Sequence, residues 1–306
     1  MDIRIRSLTH SNSEFFTDFN CIIKLFSVFF LCISLSGCVK MALRSAPSFI
    51  PLLSQTFFEE CDPELSKQSL PSSLKIMEGL LKNDPENRQI LIALCTGFTG
   101  YAMLFVEDED PDRASLFYLR ARNYGFKALG KKAPFSNKSK LTKDVVQDRI
   151  DSIGEGELEA LFWSTMAWNA WINLNLDKPS VLGQLSAAQA CLKRVLEIDP
   201  DYYYGTPYIL MGSTLAAMPG LLGGDAQQAK GYFEKALQVS DGKFFLAHYY
   251  FARYYAVRVQ DKQLFLKLID AVEHASPDEL KDACLINAVM KEKSKRLMKI
   301  SDELFL

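Results

Sequence analysis

Two stretches of the chain repeat one arrangement of small, apolar and helix-breaking residues. In each, a small residue is followed by a larger apolar one, then by another small or apolar one, and finally by a breaker. The two sets are Ala188, Leu192, Val195 and Pro200, and Ala229, Phe233, Ala236 and Asp241, with identical spacings. This spacing places three residues on one face of a short helix, where the small residue lets a neighbouring helix approach closely. The pattern therefore predicts helices that pack in pairs.

Weaker copies of this arrangement occur nearer the N-terminus. One begins at Ser73 and ends at Pro85, and a degenerate one runs from Ala121 through Gly125 to Pro134. The first-helix pattern between the two good copies consists of Tyr208, Met211, Gly212 and Leu215, with the glycine at a close helix crossing. This organisation resembles the tetratricopeptide repeat, a two-helix unit of roughly 34 residues, although the good copies lie farther apart and imply insertions. An ordinary helical bundle is the alternative. We interpret the chain as all-α, a degenerate tetratricopeptide-repeat-like helical solenoid.

Three long stretches carry no charged side chain, namely residues 90–106, 160–176 and 202–224. Each is long enough to raise the alternative of a membrane span, which needs at least about 17 residues. We interpret them instead as inner helices of the repeat units, apolar nearly all round because they lie between two layers. The outer helices beside them are predicted at residues 112–132, 185–197 and 225–238. A long amphipathic helix at residues 278–303 is predicted to cap the last layer. The polar, lysine-rich stretch at residues 131–151 has little periodicity and is predicted to be an exposed loop.

The N-terminus has the features of an export signal. Residues 25–35 are almost purely apolar, which suits the hydrophobic region of a signal peptide and is too short to span a bilayer. Leu35-Ser36-Gly37-Cys38 follows at once and resembles the lipobox of bacterial lipoproteins, in which the cysteine is acylated and anchors the chain. We predict a signal peptide at 1–37, a lipidated tether at 38–48 and a helical-repeat domain at 49–306. A plain secretory signal and an uncleaved anchor are the alternatives.

The composition narrows the function without identifying it. The 306 residues carry a formal charge of −2 and are 48% hydrophobic, which allows a sizeable core and gives no basic surface for nucleic acid. The three histidines form no metal-binding pair, and neither a nucleophile elbow nor a phosphate-binding glycine motif occurs. We therefore expect no catalysis, no metal and no cofactor. Cys95 and Cys191 lie in apolar helix patterns and are expected to be buried, whereas the spacing leaves open whether any cysteine pair forms a disulfide.

Aromatic residues give the clearest indication of a binding surface. Tryptophans crowd one predicted helix, and tyrosines follow Pro200 where the next inner helix begins. The candidates are Trp163, Trp168, Trp171, Tyr203, Tyr204 and Tyr208. Core packing accounts for most aromatic residues, but a tyrosine combines an apolar face with a polar tip and so suits ligand walls and interfaces.

The sharpest local feature is the loop from Met218 to Asp225. Pro219 ends the inner helix, Gly223 and Gly224 free the backbone, and Asp225 can cap the next helix. The loop is either a plain turn or a docking element. With the lipobox at Cys38, it resembles the T component of the TPR-associated TRAP transporters (tripartite ATP-independent periplasmic transporters). The other matching stretches are 83–87, 100–102, 163–171, 255–257 and 260–262.

This resemblance implies transport without catalysis. T components are periplasmic lipoproteins of degenerate tetratricopeptide repeats, anchored to a bacterial membrane by lipid. The resemblance implies association with the periplasmic solute-binding protein of the transporter and a homo-oligomer, such as a trimer, around a pore-like opening. We expect this chain to dock that protein and to offer the solute a path lined by Tyr203, Tyr204 and Tyr208. The alternative is a tetratricopeptide-type lipoprotein scaffold that assembles envelope proteins; an enzyme is disfavoured by the missing catalytic motifs.

Overall fold

The structure is a computed structural model of the chain and describes residues 49–134, 142–220 and 223–305. The predicted signal peptide, Cys38 and the tether therefore lie outside the described residues. Every regular element within these ranges is helical. The predicted all-α class is thus confirmed for the part of the chain that is described.

The α-helices are numbered in chain order, and short 3-10 and π turns extend or join several of them. The α-helices are α1 (Phe49–Glu59), α2 (Pro63–Asn83), α3 (Arg88–Tyr101), α4 (Pro111–Leu129), α5 (Lys143–Asp151), α6 (Leu158–Asn173), α7 (Pro179–Leu182), α8 (Leu185–Ile198), α9 (Tyr202–Ala217), α10 (Ala226–Val239), α11 (Phe245–Tyr250), α12 (Lys262–His274), α13 (Cys284–Lys299) and α14 (Ser301–Leu304). The π turns Ala102–Val106 and Phe251–Ala256 continue α3 and α11, and the 3-10 turns are Gly130–Lys132, Glu155–Glu157 and Pro277–Ala283.

Six of the described α-helices begin at a side chain that caps them. Asp62, Asn87 and Asp110 each accept a hydrogen bond from a backbone N–H in the first turn of the helix that follows. Asp225 and Asp261 do the same for α10 and α12. Because the first N–H groups of a helix have no partner within it, these oxygens set where each helix starts.

The helices pack in consecutive pairs. α3 packs on α4, α6 on α8, α9 on α10, and α11 on α12, while α4 and α3 also contact α6. The stretches predicted as inner helices form α3, α6 and α9, and most of their residues are buried. The residues of the repeated pattern that face inward are fully covered: Ala188, Leu192, Val195, Ala229, Phe233 and Ala236. The alternating apolar and amphipathic helices thus share one hydrophobic core, whose residues come from the sequence between Ile50 and Leu297.

Two glycines allow helices to cross closely. A Cβ atom at Gly125 of α4 would lie 2.5 Å from Ser164 Cβ of α6 and 2.9 Å from Cys95 Sγ of α3. A Cβ atom at Gly212 of α9 would lie 3.0 Å from the Phe233 ring of α10. The distances at Gly125 are shorter than packed atoms tolerate, so glycine is needed there, and at Gly212 a side chain would push the Phe233 ring aside. The predicted close crossing at Gly212 is confirmed.

One helix among the described residues passes a length-and-composition test for a membrane span. It is Arg88–Val106, and 72% of its most apolar window is buried inside the protein. A core helix of a globular protein passes the same test, because burial against protein favours the same residues as burial in lipid. The packing of α3 on α2, α4 and α6 accounts for its apolar character.

The end of the described chain returns to its beginning. Cys61, just after α1, forms a disulfide with Cys284, the first residue of α13, across 223 positions of sequence. α13 also packs on α1, on α2 and on the π turn after α3. Its Lys293, which is 5% exposed, donates a hydrogen bond of 2.9 Å to the carbonyl oxygen of Met103 in that π turn. A covalent bond and a buried lysine therefore tie the C-terminal helices to the first ones.

Two predicted segments differ from the structure. The capping helix predicted at 278–303 is divided: a 3-10 turn comes first, with Leu280 in a non-helical conformation, and a second break at Ile300 separates α13 from α14. The polar connection predicted as a loop at residues 131–151 contains α5, capped by Thr142. Burial of Ile150 and a hydrogen bond from Arg149 to the carbonyl of Ala133 hold α5 in place.

Candidate functional site

A cleft of about 550 Å³ opens between α1 and the N-terminal ends of the inner helices. α1 forms one wall, and the first turns of α3, α6 and α9 form the other. The cleft is lined by Phe58 on α1, Arg88 and Thr96 on α3, Glu159 and Trp163 on α6, and Tyr202, Tyr203 and Tyr204 on α9, together with Asp282 from the 3-10 turn before α13. The cleft brings together three of the predicted binding residues, Trp163, Tyr203 and Tyr204.

The aromatic wall of the cleft is centred on Tyr203. Its ring centroid lies 5.3 Å from that of Trp163, 5.7 Å from that of Phe58 and 5.3 Å from that of Tyr204. Edge-to-face and tilted contacts at these distances are favourable for aromatic rings. The rings pack directly on one another, so they form a continuous apolar wall rather than a cage.

The backbone that presents these tyrosines is left-handed. Tyr203, Tyr204 and Gly205 have φ values of 46°, 60° and 74°. Residues other than glycine rarely adopt this region, at a cost of about 1–2 kcal/mol each. At Gly205 a Cβ atom would lie 3.2 Å from Val239 Cβ. Strain of this kind persists only where the surroundings hold it, and it concentrates at functional sites. The clustered rings around Tyr203 supply that restraint.

Charged side chains of both signs border the aromatic wall, and the sequence analysis did not single them out. Arg88 donates a 2.5 Å hydrogen bond to the carbonyl of Gly156, which fixes its guanidinium at the mouth of the cleft. Glu159 is open to solvent on one side, while the neighbouring walls exclude enough water to raise the pKa of its carboxyl group despite the nearby Arg88. Asp282 faces Tyr203 and Tyr204 from the opposite side, and burial together with this carboxylate raises the pKa of both phenols.

Two hydroxyl groups in the cleft have no hydrogen-bond partner. They are the phenol of Tyr203 and Thr96 Oγ1, and Thr96 is 6% exposed. Leaving a buried hydroxyl unpaired costs roughly 1–3 kcal/mol. A bound molecule or ordered water that hydrogen-bonds these groups would recover that free energy. The chain itself thus leaves two hydroxyl groups unpaired on residues that line the cleft.

A second, smaller cavity lies farther along the same inner helices. Its lining includes Thr99 of α3, Met166 and Asn169 of α6, and Ser213 of α9. The two cavities are one helical turn apart on α3 and on α6, since Thr96 and Thr99, and Trp163 and Met166, are three residues apart. On both helices the second cavity lies nearer the C-terminal end than the cleft does.

An ionic cluster closes the far end of the second cavity. Tyr118 donates a hydrogen bond to Glu107, and Asp108 accepts an ion pair of 2.7 Å from Lys293 and one of 3.2 Å from Arg253. Desolvation opposes ionisation of Asp108, but the two cations outweigh it and lower the pKa of the carboxyl group. Burial lowers the pKa of Lys293. This network connects α3, α11 and α13 beside the cavity.

The remaining predicted aromatics lie away from the cleft. Trp168 is fully buried and donates a 3.1 Å hydrogen bond to Gln184. Trp171 stacks under Arg122, whose guanidinium carbon lies 5.2 Å from the ring, and burial lowers the pKa of Arg122 to about 10. Tyr208 packs against Tyr232 on the α9–α10 surface at 6.1 Å. These positions indicate packing for Trp168 and Trp171 and leave Tyr208 available at the surface.

The glycine loop is a tight turn before α10. Gly223 has φ 93°, and a Cβ atom at Gly224 would lie 1.9 Å from the carbonyl oxygen of Met218. Asp225 donates its backbone N–H to Leu215 and caps α10 through its side chain. The backbone geometry thus explains both glycines and the aspartate. A docking role for the loop remains a prediction.

Comparisons with known proteins give a family match and one relative. A family described as TRAP transporter T-component matches residues 59–305. A curated protein of Treponema pallidum (strain Nichols), described as an uncharacterized protein, is 25% identical over 198 residues. That alignment covers 59% of this chain and 61% of the relative, so the chain spans less than two thirds of the relative's length.

Proposed function

Because the chain belongs to the TRAP transporter T-component family, we propose that it docks the solute-binding protein of such a transporter at the membrane. The observation that carries the proposal is the family match across residues 59–305, from the end of α1 to α14. Membership of this family supports a role as an accessory protein of a transporter. The docking of the solute-binding protein is our proposal. The same helices supply partly exposed aromatics, such as Tyr208, of the kind that interfaces favour.

The proposal places the protein in the periplasm, held by a lipid on Cys38. The order Leu35-Ser36-Gly37-Cys38 after an apolar run supports lipidation. The disulfide between Cys61 and Cys284 suits an oxidising compartment outside the cytoplasm. Labelled palmitate should enter the wild-type protein and not Cys38→Ala. Equal label in both proteins would remove the anchor from the account.

We extend the proposal to the arrangement of the helices and to oligomerisation. Consecutive pairing of α3 with α4, α6 with α8 and α9 with α10 supports a tetratricopeptide-like solenoid. A homo-oligomer, such as a trimer, follows only from the family resemblance. Sedimentation of the chain that starts at Val39, which retains the entire described core, distinguishes a monomer from an oligomer of defined number.

The proposal also includes a solute path along the inner helices. The large cleft and the second cavity lie one helical turn apart, and their walls come from the same three helices. The aromatic wall provides apolar contact, and the unpaired hydroxyls of Thr96 and Tyr203 provide polar contact. A site of this kind suits weak binding, which transfer between proteins requires.

Docking is tested by mixing the chain from Val39 with the cognate solute-binding protein. Association is measured by sedimentation or calorimetry at about 100 μM, well above a transient Kd of order 10 μM, roughly −7 kcal/mol. Binding that weakens in a folded Tyr208→Ala variant would place the contact on the α9–α10 surface. Absence of any association at that concentration would defeat the docking proposal.

The path is tested separately with Tyr203→Phe, which removes only the unpaired phenol oxygen and keeps the ring contacts. We expect it to reduce transporter-dependent solute uptake while docking stays intact. Tyr255→Phe is the matched control, since Tyr255 packs against Phe251 and lines neither the cleft nor the second cavity. Uptake that is unchanged in Tyr203→Phe and in Tyr204→Ala would show that the aromatic wall is no part of the path.

A further inference from the structure

An apolar crevice lies beside the cleft, between α1, α2 and α3. It has a volume of about 40 Å³, and its lining is almost wholly apolar. Its lining includes Phe57, Leu74, Met77, Gly97, Gly100 and Tyr101. A space lined by such groups gains nothing from water, because water there finds no hydrogen-bond partners, and it favours an apolar occupant.

The crevice and the cleft adjoin each other. Ser54 and Phe58 on α1 and Ala93 and Thr96 on α3 line both spaces. The hydroxyl of Thr96, on a side chain that is 6% exposed, sits at this junction without a hydrogen-bond partner. The crevice is therefore within reach of an apolar extension on a polar group that lies at Thr96.

Gly100 leaves the crevice open. A Cβ atom there would have no heavy atom within 4 Å, whereas one at Gly97 would lie 2.5 Å from Leu74 Cδ2. Gly97 thus serves the close packing of α2 on α3. Packing does not explain Gly100, since any side chain would find room, and glycine in a helix interior costs roughly 1 kcal/mol relative to alanine. The free space over Gly100 is the space that an occupant would use.

We propose that the cleft and the crevice form one site for an amphipathic small molecule. Its hydrogen-bonding head lies in the cleft against the hydroxyls of Thr96 and Tyr203, and its short unbranched apolar tail enters the crevice over Gly100. This inference rests on the proposed solute path and names the chemistry of its occupant. The tail subsite explains why the crevice is apolar, and the head subsite explains why two buried hydroxyls lack partners within the chain.

Primary alkanols of increasing length are the probes. 1-Butanol, 1-hexanol and 1-octanol share one hydroxyl head and differ only in the tail, so calorimetric titration of the chain from Val39 isolates the tail contribution. Each methylene that enters an apolar space is worth about fourfold in Kd, so each pair of methylenes should tighten binding about 16-fold until the crevice is full. Affinity that does not depend on chain length would overturn the tail subsite.

Gly100→Leu fills the crevice without disturbing the fold. Leucine is a better helix former than glycine, and the added side chain occupies free space, so the variant should be at least as stable as the wild type. Gly79→Leu is the matched control: it makes the same change in α2, where a Cβ atom also has no neighbour within 4 Å. We expect Gly100→Leu to lose the dependence on tail length and Gly79→Leu to retain it. Equal behaviour of the two variants would refute the proposal.

Thr96→Val tests the head subsite, because it should increase stability and at the same time weaken binding. Removing an unpaired buried hydroxyl should raise the unfolding midpoint, and it should also weaken alkanol binding several-fold. A residue with only a structural role would not combine these changes, and unchanged binding would sink the head assignment. Gly100→Leu should still bind the solute-binding protein, so failure of this site and failure of docking are separate results.

Discussion

Breaking the disulfide between Cys61 and Cys284 should destabilise the protein strongly. The bond joins the residue after α1 to the first residue of α13, across 223 positions. Closing a loop of that length in the unfolded chain removes conformational entropy worth about 5 kcal/mol at 25 °C, an upper value because strain and residual structure reduce it. Domains of ordinary stability have only about 5–15 kcal/mol in total. The reduced protein is therefore expected to lose a large part of its stability.

The assay is urea unfolding of the chain from Val39, followed by helical circular dichroism with and without dithiothreitol. Reductant should shift the wild-type midpoint to lower urea. It should have no effect on Cys61→Ser, whose midpoint should match that of the reduced wild type. The variant that starts at Val39 has two other cysteines, Cys95 and Cys191, and both are fully buried. Burial raises the pKa of both thiols, that of Cys191 to about 12. They stay protonated and unreactive in the folded state.

Two results would refute this reasoning. Denatured but unreduced protein should react with a thiol reagent at Cys95 and Cys191 only, so additional labelling of Cys61 and Cys284 would show that the bond is absent. A midpoint that ignores the reductant while the bond is present would show that it does not restrain the unfolded chain. In that case packing alone would hold α13 to α1, and the Lys293 hydrogen bond would hold α13 to the π turn after α3.

Two further predictions concern the loop before α10 and the buried ionic cluster. Gly224→Ala should lower stability by about 1–3 kcal/mol, because its Cβ would lie 1.9 Å from the carbonyl oxygen of Met218. Gly231→Ala, at a position in α10 where a Cβ atom has no neighbour within 4 Å, should instead raise stability by about 1 kcal/mol. Equal midpoints of the two variants in thermal unfolding would contradict this prediction. Asp108→Asn should cost roughly 3 kcal/mol by leaving Lys293 without its anion. Because the pKa of Asp108 is lowered by folding, its stabilisation is present at neutral pH and is lost as the pH falls through the folded-state pKa. Wild-type stability should therefore decline more steeply in acid than that of the variant, and parallel pH profiles in urea unfolding would contradict it.

The sequence predicts the helix pairs well because they depend on local spacing. Ala229, Phe233 and Ala236 recur at the intervals that place them on one helical face, and their complete burial follows from that face alone. α5 was missed for the opposite reason. Its residues are mostly polar, so the periodicity is weak, and Ile150 is its one buried residue.

The candidate site is only partly predictable, since its geometry depends on contacts between distant residues. Tyr203 and Trp163 were identified by residue type, but nothing local reveals that Arg88 and Asp282 join them. A usable signal for the left-handed turn exists: Thr206-Pro207 is a typical helix start, which places Tyr203 to Gly205 ahead of the regular helix. The disulfide across 223 residues has no local signal at all.

Affinity purification of the native, lipidated protein from membranes of its own cells tests the central claim most directly. Bound proteins are identified by mass spectrometry and compared with those bound to Cys38→Ala. The account predicts that the wild-type protein enriches the solute-binding protein of a TRAP transporter, and that Cys38→Ala keeps this partner but loses the membrane fraction. Recovery of a varied set of envelope proteins with no solute-binding protein among them would contradict the account and favour an assembly scaffold.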